Sequence, residues 1–337
     1  MRELLRALSA LGSGHSLLAY GRERWDGADG IDWRLIRSSD PVWHLRAAAA
    51  ATRECDVFLS TNSYLTAWFT RIPTTVVVYD MVPWKPEMAP QRRAALIERA
   101  TIRPALRRAA AAICISQSTE RDLVELFASA RGKTAIVSLG VSAELDRVPD
   151  LDAVRAELEL PERFVLATGT LEPRKNLPRL IEAHRRVPGA PPLLVAGPPG
   201  WEMERALAGA NGLTRLLGYV SDEQLNALYR LCTVFAYPSL YEGFGLPLAE
   251  AMRCGAACLT SASSSLPEVG GDAVVYCDPH DVGSIAAALE RLLASDAERA
   301  RLGERARERA LEFSWERCAR ETLTTLERAV GRVADVR

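Results

Sequence analysis

Short apolar runs alternate with amphipathic stretches along most of this chain, a pattern of strands separated by helices. In the second half it predicts strands at Phe164–Thr168, Leu193–Ala196, Arg215–Leu217, Val234–Ala236, Ala257–Thr260 and Val274–Cys277. Between them it predicts helices at Leu177–Arg186, Glu202–Ala208, Asp222–Arg230, Leu246–Arg253 and Val282–Ala294. Ser221, followed three residues later by Gln224, has the spacing of a capping box and marks one helix start. The first half repeats the theme with strands at Ser16–Tyr20, Asp32–Ile36, Asp56–Leu59, Thr75–Tyr79, Ala112–Ile115 and Ala135–Ser138. Met1–Leu11 reads as a helix, with Leu4, Leu5, Leu8 and Leu11 on one apolar face.

Strands separated by single helices make parallel, doubly wound sheets, so the fold class is α/β. Between Gly140 and Pro161 two prolines and many charges interrupt the pattern. This places a domain junction there, giving a Rossmann-like domain over 1–148 and a second over 149–312. A last helix, Phe313–Val330 within the tail 313–337, is expected to pack back toward the N-terminal domain. Two such domains facing each other make an interdomain cleft, and open α/β sheets bind ligands at the carboxyl ends of their strands. The loops after the strands are therefore where chemistry is sought.

Composition narrows the function classes. The 337 residues are 48% hydrophobic and 25% charged, which excludes disordered and fibrous chains. No run is apolar enough to span a membrane and charges interrupt the amino terminus, so the chain is expected to be cytoplasmic. A net charge of −1 gives no reason to expect nucleic-acid binding. The 7 cysteines are scattered without a CxxC pair, and His15, His44, His184 and His280 show no metal spacing, so neither a disulfide framework nor a metal site is expected. Arginine vastly outnumbers lysine, which occurs only at Lys85, Lys133 and Lys175.

Two segments carry chemistry. In AYPSLYEGFGLPLAEAMRCGAACLTS a strand runs through a glycine-bearing loop into a helix. Gly243 and Gly245 admit close backbone approach to a ligand, and the helix starting near Leu246 aims unpaired N–H groups and its positive dipole end at that spot. Glu242 sits at the loop, where a sugar would project, and Glu250 lies about one turn into the helix, placed to accept hydrogen bonds from a ribose diol. In ATGTLEPRKNLPRLIEAH, Gly169 and Thr170 end a strand, and Arg174 with Lys175 put two cations on the following loop. Paired cations beside a helix N-terminus suit a pyrophosphate leaving group.

With GTLEPRKN, LGYVSDEQL and YEGFGLPLAEAM together, the chain resembles the family 4 retaining glycosyltransferases of the GT-B fold, strongly over residues 160–290. The resemblance implies that Glu250 binds the nucleotide ribose, Glu242 faces the donor sugar, and Arg174 and Lys175 hold the diphosphate. It implies backbone help from Phe244, Gly245 and Leu246, a base near Tyr219 and Val220, and no metal or other cofactor. On the acceptor side of the cleft it points to Tyr79, Asp80 and Ser116. Where many relatives carry His-Asp, this chain carries Tyr79-Asp80, so no histidine base stands there; a front-face displacement does not need one, since the leaving phosphate can take the acceptor proton. The PRKN form is similar to mannosyl- and rhamnosyltransferases of polysaccharide assembly, which makes GDP-mannose the expected donor and a saccharide or lipid-linked saccharide the acceptor.

Two rival readings stand beside this one: a catalytically impaired binding protein, and a nucleotide-sugar epimerase of the same fold. A phosphorylase is excluded because no lysine sits in a pyridoxal-phosphate context. The arginine-rich stretch QRRAALIERATIRPALRRA is a further candidate, for peripheral contact with anionic lipid headgroups. Relatives open on a strand and a glycine-rich turn before their first helix, so the N-terminal domain is expected to lack its first strand. About 15 to 30 further residues would supply that strand and turn; without them the expectation is a truncated chain with little activity.

Overall fold

The computed structural model describes all residues except 1, 26, 28, 62, 86, 87, 89–91, 199–211 and 335–337. The chain divides into two compact units, Met1–Gly140 with Ser314–Arg337, and Val141–Phe313. The expected junction at 148/149 is corrected to 140/141. The short turn Ala143–Asp146 is held by the second unit: Asn226 Nδ2 donates to the carbonyls of Leu145 (3.4 Å) and Arg147 (2.9 Å), and Arg253 pairs with Asp146 at 2.5 Å.

In the first unit the order is α1 (Arg2–Ala10), β1 (Leu17–Gly21), β2 (Ile31–Leu35), α2 (Val42–Glu54), β3 (Phe58–Ser60), α3 (Thr66–Phe69), β4 (Thr74–Val78), α4 (Arg92–Arg108), β5 (Ala111–Cys114), α5 (Gln117–Leu126) and β6 (Thr134–Ile136). Its strands do not form one sheet. A parallel pair, β1-β2, stands apart from a four-stranded parallel sheet in the order β3-β4-β5-β6. The core gathers Val76, Val78, Ile102, Leu106 and Leu123 around the larger sheet.

In the second unit, α6 (Leu151–Glu157) leads into β7 (Val165–Thr168), α7 (Leu177–Arg186), β8 (Leu193–Ala196), β9 (Thr214–Gly218), α8 (Asp222–Leu231), β10 (Val234–Tyr237), α9 (Leu246–Arg253), β11 (Cys258–Ser261), α10 (Leu266–Gly270), β12 (Val275–Cys277), α11 (Val282–Ala294) and α12 (Asp296–Ala310). The expected helix Glu202–Ala208 lies outside the described residues. One parallel sheet runs β12-β11-β10-β7-β8-β9. Its strands β7, β8, β10 and β11 are buried throughout, as a sheet covered on both faces requires. The capping box at Ser221 and Gln224 opens α8. The last helix, α13 (Trp315–Ala334), belongs to the first unit and packs against α1.

Candidate active site

The strand order of the second unit fixes where a ligand can enter. Chain progression goes one way from β7 through β8 to β9 and the other way from β7 to β10, β11 and β12, so the loops after β7 and β10 diverge at the switch point between neighbouring strands. The loop after β7 carries Gly169, Thr170, Arg174 and Lys175; the loop after β10 carries Glu242, Gly243, Phe244 and Gly245. The backbone joins the two, Leu240 N donating to Arg174 O at 2.8 Å.

Arg174, Lys175 and Glu242 meet. Lys175 Nζ donates to Glu242 Oε1 at 2.8 Å and to the Tyr237 hydroxyl, and it lies 4.7 Å from the centre of that ring. Arg174 Nη1 donates to Glu242 Oε2 at 2.5 Å while its Nε donates to Glu172 at 2.8 Å. Tyr237 Oη donates to Glu242 Oε1 at 2.8 Å. The Glu242 side chain is only 7% exposed, a buried carboxylate clamped by both cations. Burial alone would push this carboxyl up; the charges of Lys175 and Arg174 outweigh it and hold it below the usual carboxylate range. Burial also pulls the Lys175 ammonium below the ordinary lysine range, with Glu242 opposing.

Neighbouring backbone is strained to serve this cluster. Asn176 and Ser264 both take left-handed conformations, with φ of 61° and 50°. Asn176 Nδ2 clips two loops by donating to Pro238 O (3.0 Å) and Pro279 O (2.7 Å). Ser264 Oγ accepts from Glu242 N at 2.8 Å, and Ser265 Oγ donates to the carbonyls of Glu242 (2.9 Å) and Phe244 (2.8 Å). Gly245 precedes α9 at φ 99°, and a Cβ there would stand 2.7 Å from Leu266 Cδ2. Tyr237, Asn176, Ser264 and Ser265 escape the sequence reading; Asn176 and Tyr237 alone stand within the quoted motifs.

Glu250 lies apart from this cluster on α9, where Tyr229 Oη donates to its Oε2 at 3.2 Å. Burial pushes its carboxyl up to about 7 from 4.5, with the Tyr229 hydrogen bond opposing. Because the folded state holds this proton more tightly than the unfolded chain, the contribution to stability is complete below about pH 4.5 and lost as pH rises through about 7. Glu250→Gln is therefore expected to raise stability at pH 8 by about 1 to 2 kcal/mol and to leave it near the wild-type value at pH 4.5. Denaturant unfolding at the two pH values reads the difference. After β9, Tyr219 is 80% exposed and offers its ring for stacking, whereas Val220 is buried.

In the first unit, Tyr79 and Asp80 follow β4 and Ser116 follows β5, at the carboxyl ends of adjacent strands. Asp80 Oδ1 accepts from Val82 N at 2.9 Å. Ser116 is buried and caps α5, its Oγ accepting from Thr119 N at 3.0 Å, so its place is that of a helix cap as well as a strand end. Among the described residues no three His, Cys, Asp or Glu side chains gather as a metal site.

Models for "Glycosyl transferases group 1" and "Glycosyltransferase Family 4" match residues 152–309 and 1–145. The O-antigen chain mannosyltransferase B of Escherichia coli is 34% identical over 308 residues, 86% of this chain and 78% of its own. The chain belongs to the family 4 glycosyltransferases. A serotype-specific mannosyltransferase, WbdA of Escherichia coli, is 38% identical over 224 residues, covering 62% of this glycosyltransferase but only 27% of that protein. In fold, the sucrose-phosphate synthase of Thermosynechococcus elongatus aligns with a TM-score of 0.79 at 22% identity, over 98% of this chain and 92% of that one. The glycosyltransferase thus has a GT-B fold with two Rossmann-like units, and the switch-point cluster lies in the unit matched by the group 1 model.

Proposed function

We propose that this glycosyltransferase moves mannose from GDP-mannose, with retention of configuration, to a hydroxyl of a growing polysaccharide or lipid-linked saccharide. The observation that carries the reading is the joined set Arg174, Lys175 and Glu242 at the switch point. The mannosyltransferase names of its relatives support the sugar. Arg174 and Lys175 would meet the diphosphate, with the N–H groups at the start of α9 adding to the positive field. Glu242 orients both cations, Glu250 accepts from the ribose hydroxyls, and Tyr219 stacks on the base. The bond from the anomeric carbon to the diphosphate oxygen breaks as the acceptor oxygen bonds that carbon on the same face; the acceptor proton passes to the leaving phosphate.

The charge neutralisation comes from side chains, so we propose metal-independent transfer. EDTA should leave the rate unchanged; loss with EDTA and rescue by manganese would argue for a different mechanism. A thermal-shift screen of GDP-, UDP-, dTDP- and ADP-sugars tests the donor, since a ligand that binds only the native state raises its stability. GDP-mannose should give the largest shift; a larger shift with a UDP-sugar overturns the choice.

We also propose a cytoplasmic enzyme that touches an anionic membrane through α4. On one face of that helix stand Arg93, Leu96, Ile97, Ala100 and Arg107, with Leu96 and Ile97 exposed by 62% and 57%. Co-sedimentation with phosphatidylglycerol vesicles should fall about ten-fold in the Leu96→Glu/Ile97→Glu variant. Equal binding by that variant would remove α4 from the membrane face.

A further inference from the structure

Lys175 and Glu242 share a third side chain, Tyr237, to which the proposed transfer gives no part. Tyr237 is the last residue of β10 and is 2% exposed, and its backbone is pinned by Thr260 Oγ1, which donates to Tyr237 O at 2.9 Å. Its ring stacks on that of Phe235, with centroids 5.7 Å apart and planes 18° from parallel. Tyr229 of α8 meets the same Phe235 ring edge-on at 5.4 Å. The phenol therefore stands on a close-packed aromatic base, and the place of its oxygen follows from that packing. This one hydroxyl is used twice: its O–H donates to Glu242 Oε1 at 2.8 Å, and its oxygen accepts from Lys175 Nζ. Lys175 Nζ also donates to Glu242 Oε1 at 2.8 Å, so ammonium, phenol and carboxylate close a triangle.

An ammonium carries three N–H donors. Glu242 and Tyr237 take two of them, and among the described residues no acceptor takes the third. A single acceptor would leave the flexible stem free to swing about that contact, whereas two fix both the place of Nζ and the direction of its remaining N–H. We propose that Tyr237 is a positioning residue for the transfer: its hydroxyl holds the Lys175 ammonium so that the remaining N–H meets the leaving diphosphate. That role rests on Lys175 being a diphosphate cation, the reading proposed above, and adds what aims it. A phenol suits the task better than a second carboxylate would, because it accepts from the ammonium without bringing a negative charge to offset the field at the diphosphate. Burial pushes the Tyr237 hydroxyl well above its ordinary value, with the Glu242 charge adding to the effect, so the hydroxyl keeps its proton and remains a donor to Glu242.

The titratable groups facing Lys175 are Tyr237 and Glu242, from β10 and the loop after it, and Arg174 and Glu172 from its own loop. Tyr237→Phe keeps the ring and its stack and removes only the hydroxyl. It thereby takes an acceptor from the charged form of Lys175, which burial already disfavours, so the ammonium gives up its proton more readily. With GDP-mannose and a saccharide acceptor, kcat should fall about ten-fold at a near-unchanged KM for the donor, and the alkaline limb of kcat/KM should move to lower pH by about one pH unit. In a Lys175→Ala background the same change should cost less than about two-fold, because the group it aims is gone. Incorporation of 3-fluorotyrosine at position 237, a nearly isosteric phenol of weaker acceptor strength, should move the alkaline limb the same way by a smaller amount. Equal losses in the two backgrounds would leave Tyr237 a packing residue and overturn the proposal, as would an alkaline limb unmoved in both Tyr237 variants. Wild-type turnover in Lys175→Ala alone would overturn the diphosphate reading and this proposal with it, a failure told apart from the others because it involves no change at Tyr237.

Discussion

Lys175→Ala is expected to lower kcat/KM by about two orders of magnitude or more, because it removes a charge that the proposed mechanism sets against the leaving diphosphate. The residue is poorly replaceable. Its ammonium sits between Glu242 Oε1 and the Tyr237 hydroxyl, and a Cβ on Gly169 would stand 3.2 Å from its Cε, so its stem runs through a tight passage. Steady-state kinetics with GDP-mannose and a saccharide acceptor, on protein shown to be folded by its thermal midpoint, measures the loss. An unchanged kcat/KM would remove Lys175 from the diphosphate site.

The second large effect concerns stability. Glu242→Ala is expected to cost about 3 to 5 kcal/mol, since it leaves the half-buried Lys175 and Arg174 without their shared, buried counter-charge. For a unit of this size that is a fall of about 10 °C in Tm. Glu242→Gln keeps the shape and one acceptor oxygen and should lie between the two. Differential scanning calorimetry separates the three proteins, and a Glu242→Ala midpoint equal to that of wild type would mean the cluster carries no net electrostatic stabilisation. Loss of activity in Glu242→Gln at near-normal Tm would then isolate the orientation of the cations from the integrity of the fold.

The contrast between what was legible in the sequence and what was not is physical. The helices Leu177–Arg186, Leu246–Arg253 and Val282–Ala294 have the expected bounds because local signals mark their starts: a proline in the first turn of α7 and α9, and an Asp281 side chain capping α11. The helix Asp296–Ala310 is absent from the sequence reading. Its sequence, DAERARLGERARERA, is charged nearly all round, and only Leu302, Gly303, Ala306 and Ala310 are buried, so its apolar stripe is too thin to show as a period.

Within the site, spacing showed that Glu242, Glu250, Arg174 and Lys175 flank glycine loops at strand ends. It could not show that Glu242 is the partner of cations 67 and 68 residues away, because that contact exists only through the pairing of β7 with β10. Tyr237 and Tyr229 are buried, and each directs its hydroxyl to a site carboxylate, a pairing no spacing in the sequence marks. The amphipathic amino-terminal helix was legible too, whereas no periodicity distinguishes the two sheets of the first unit from one.

The most direct measurement of the account is the anomeric configuration of the product, read by proton and carbon NMR after turnover of GDP-mannose with a saccharide acceptor. The account predicts an α-mannoside, the configuration of the donor, with GDP released only when acceptor is present. A β-mannoside, or GDP release at the same rate without acceptor, would contradict it.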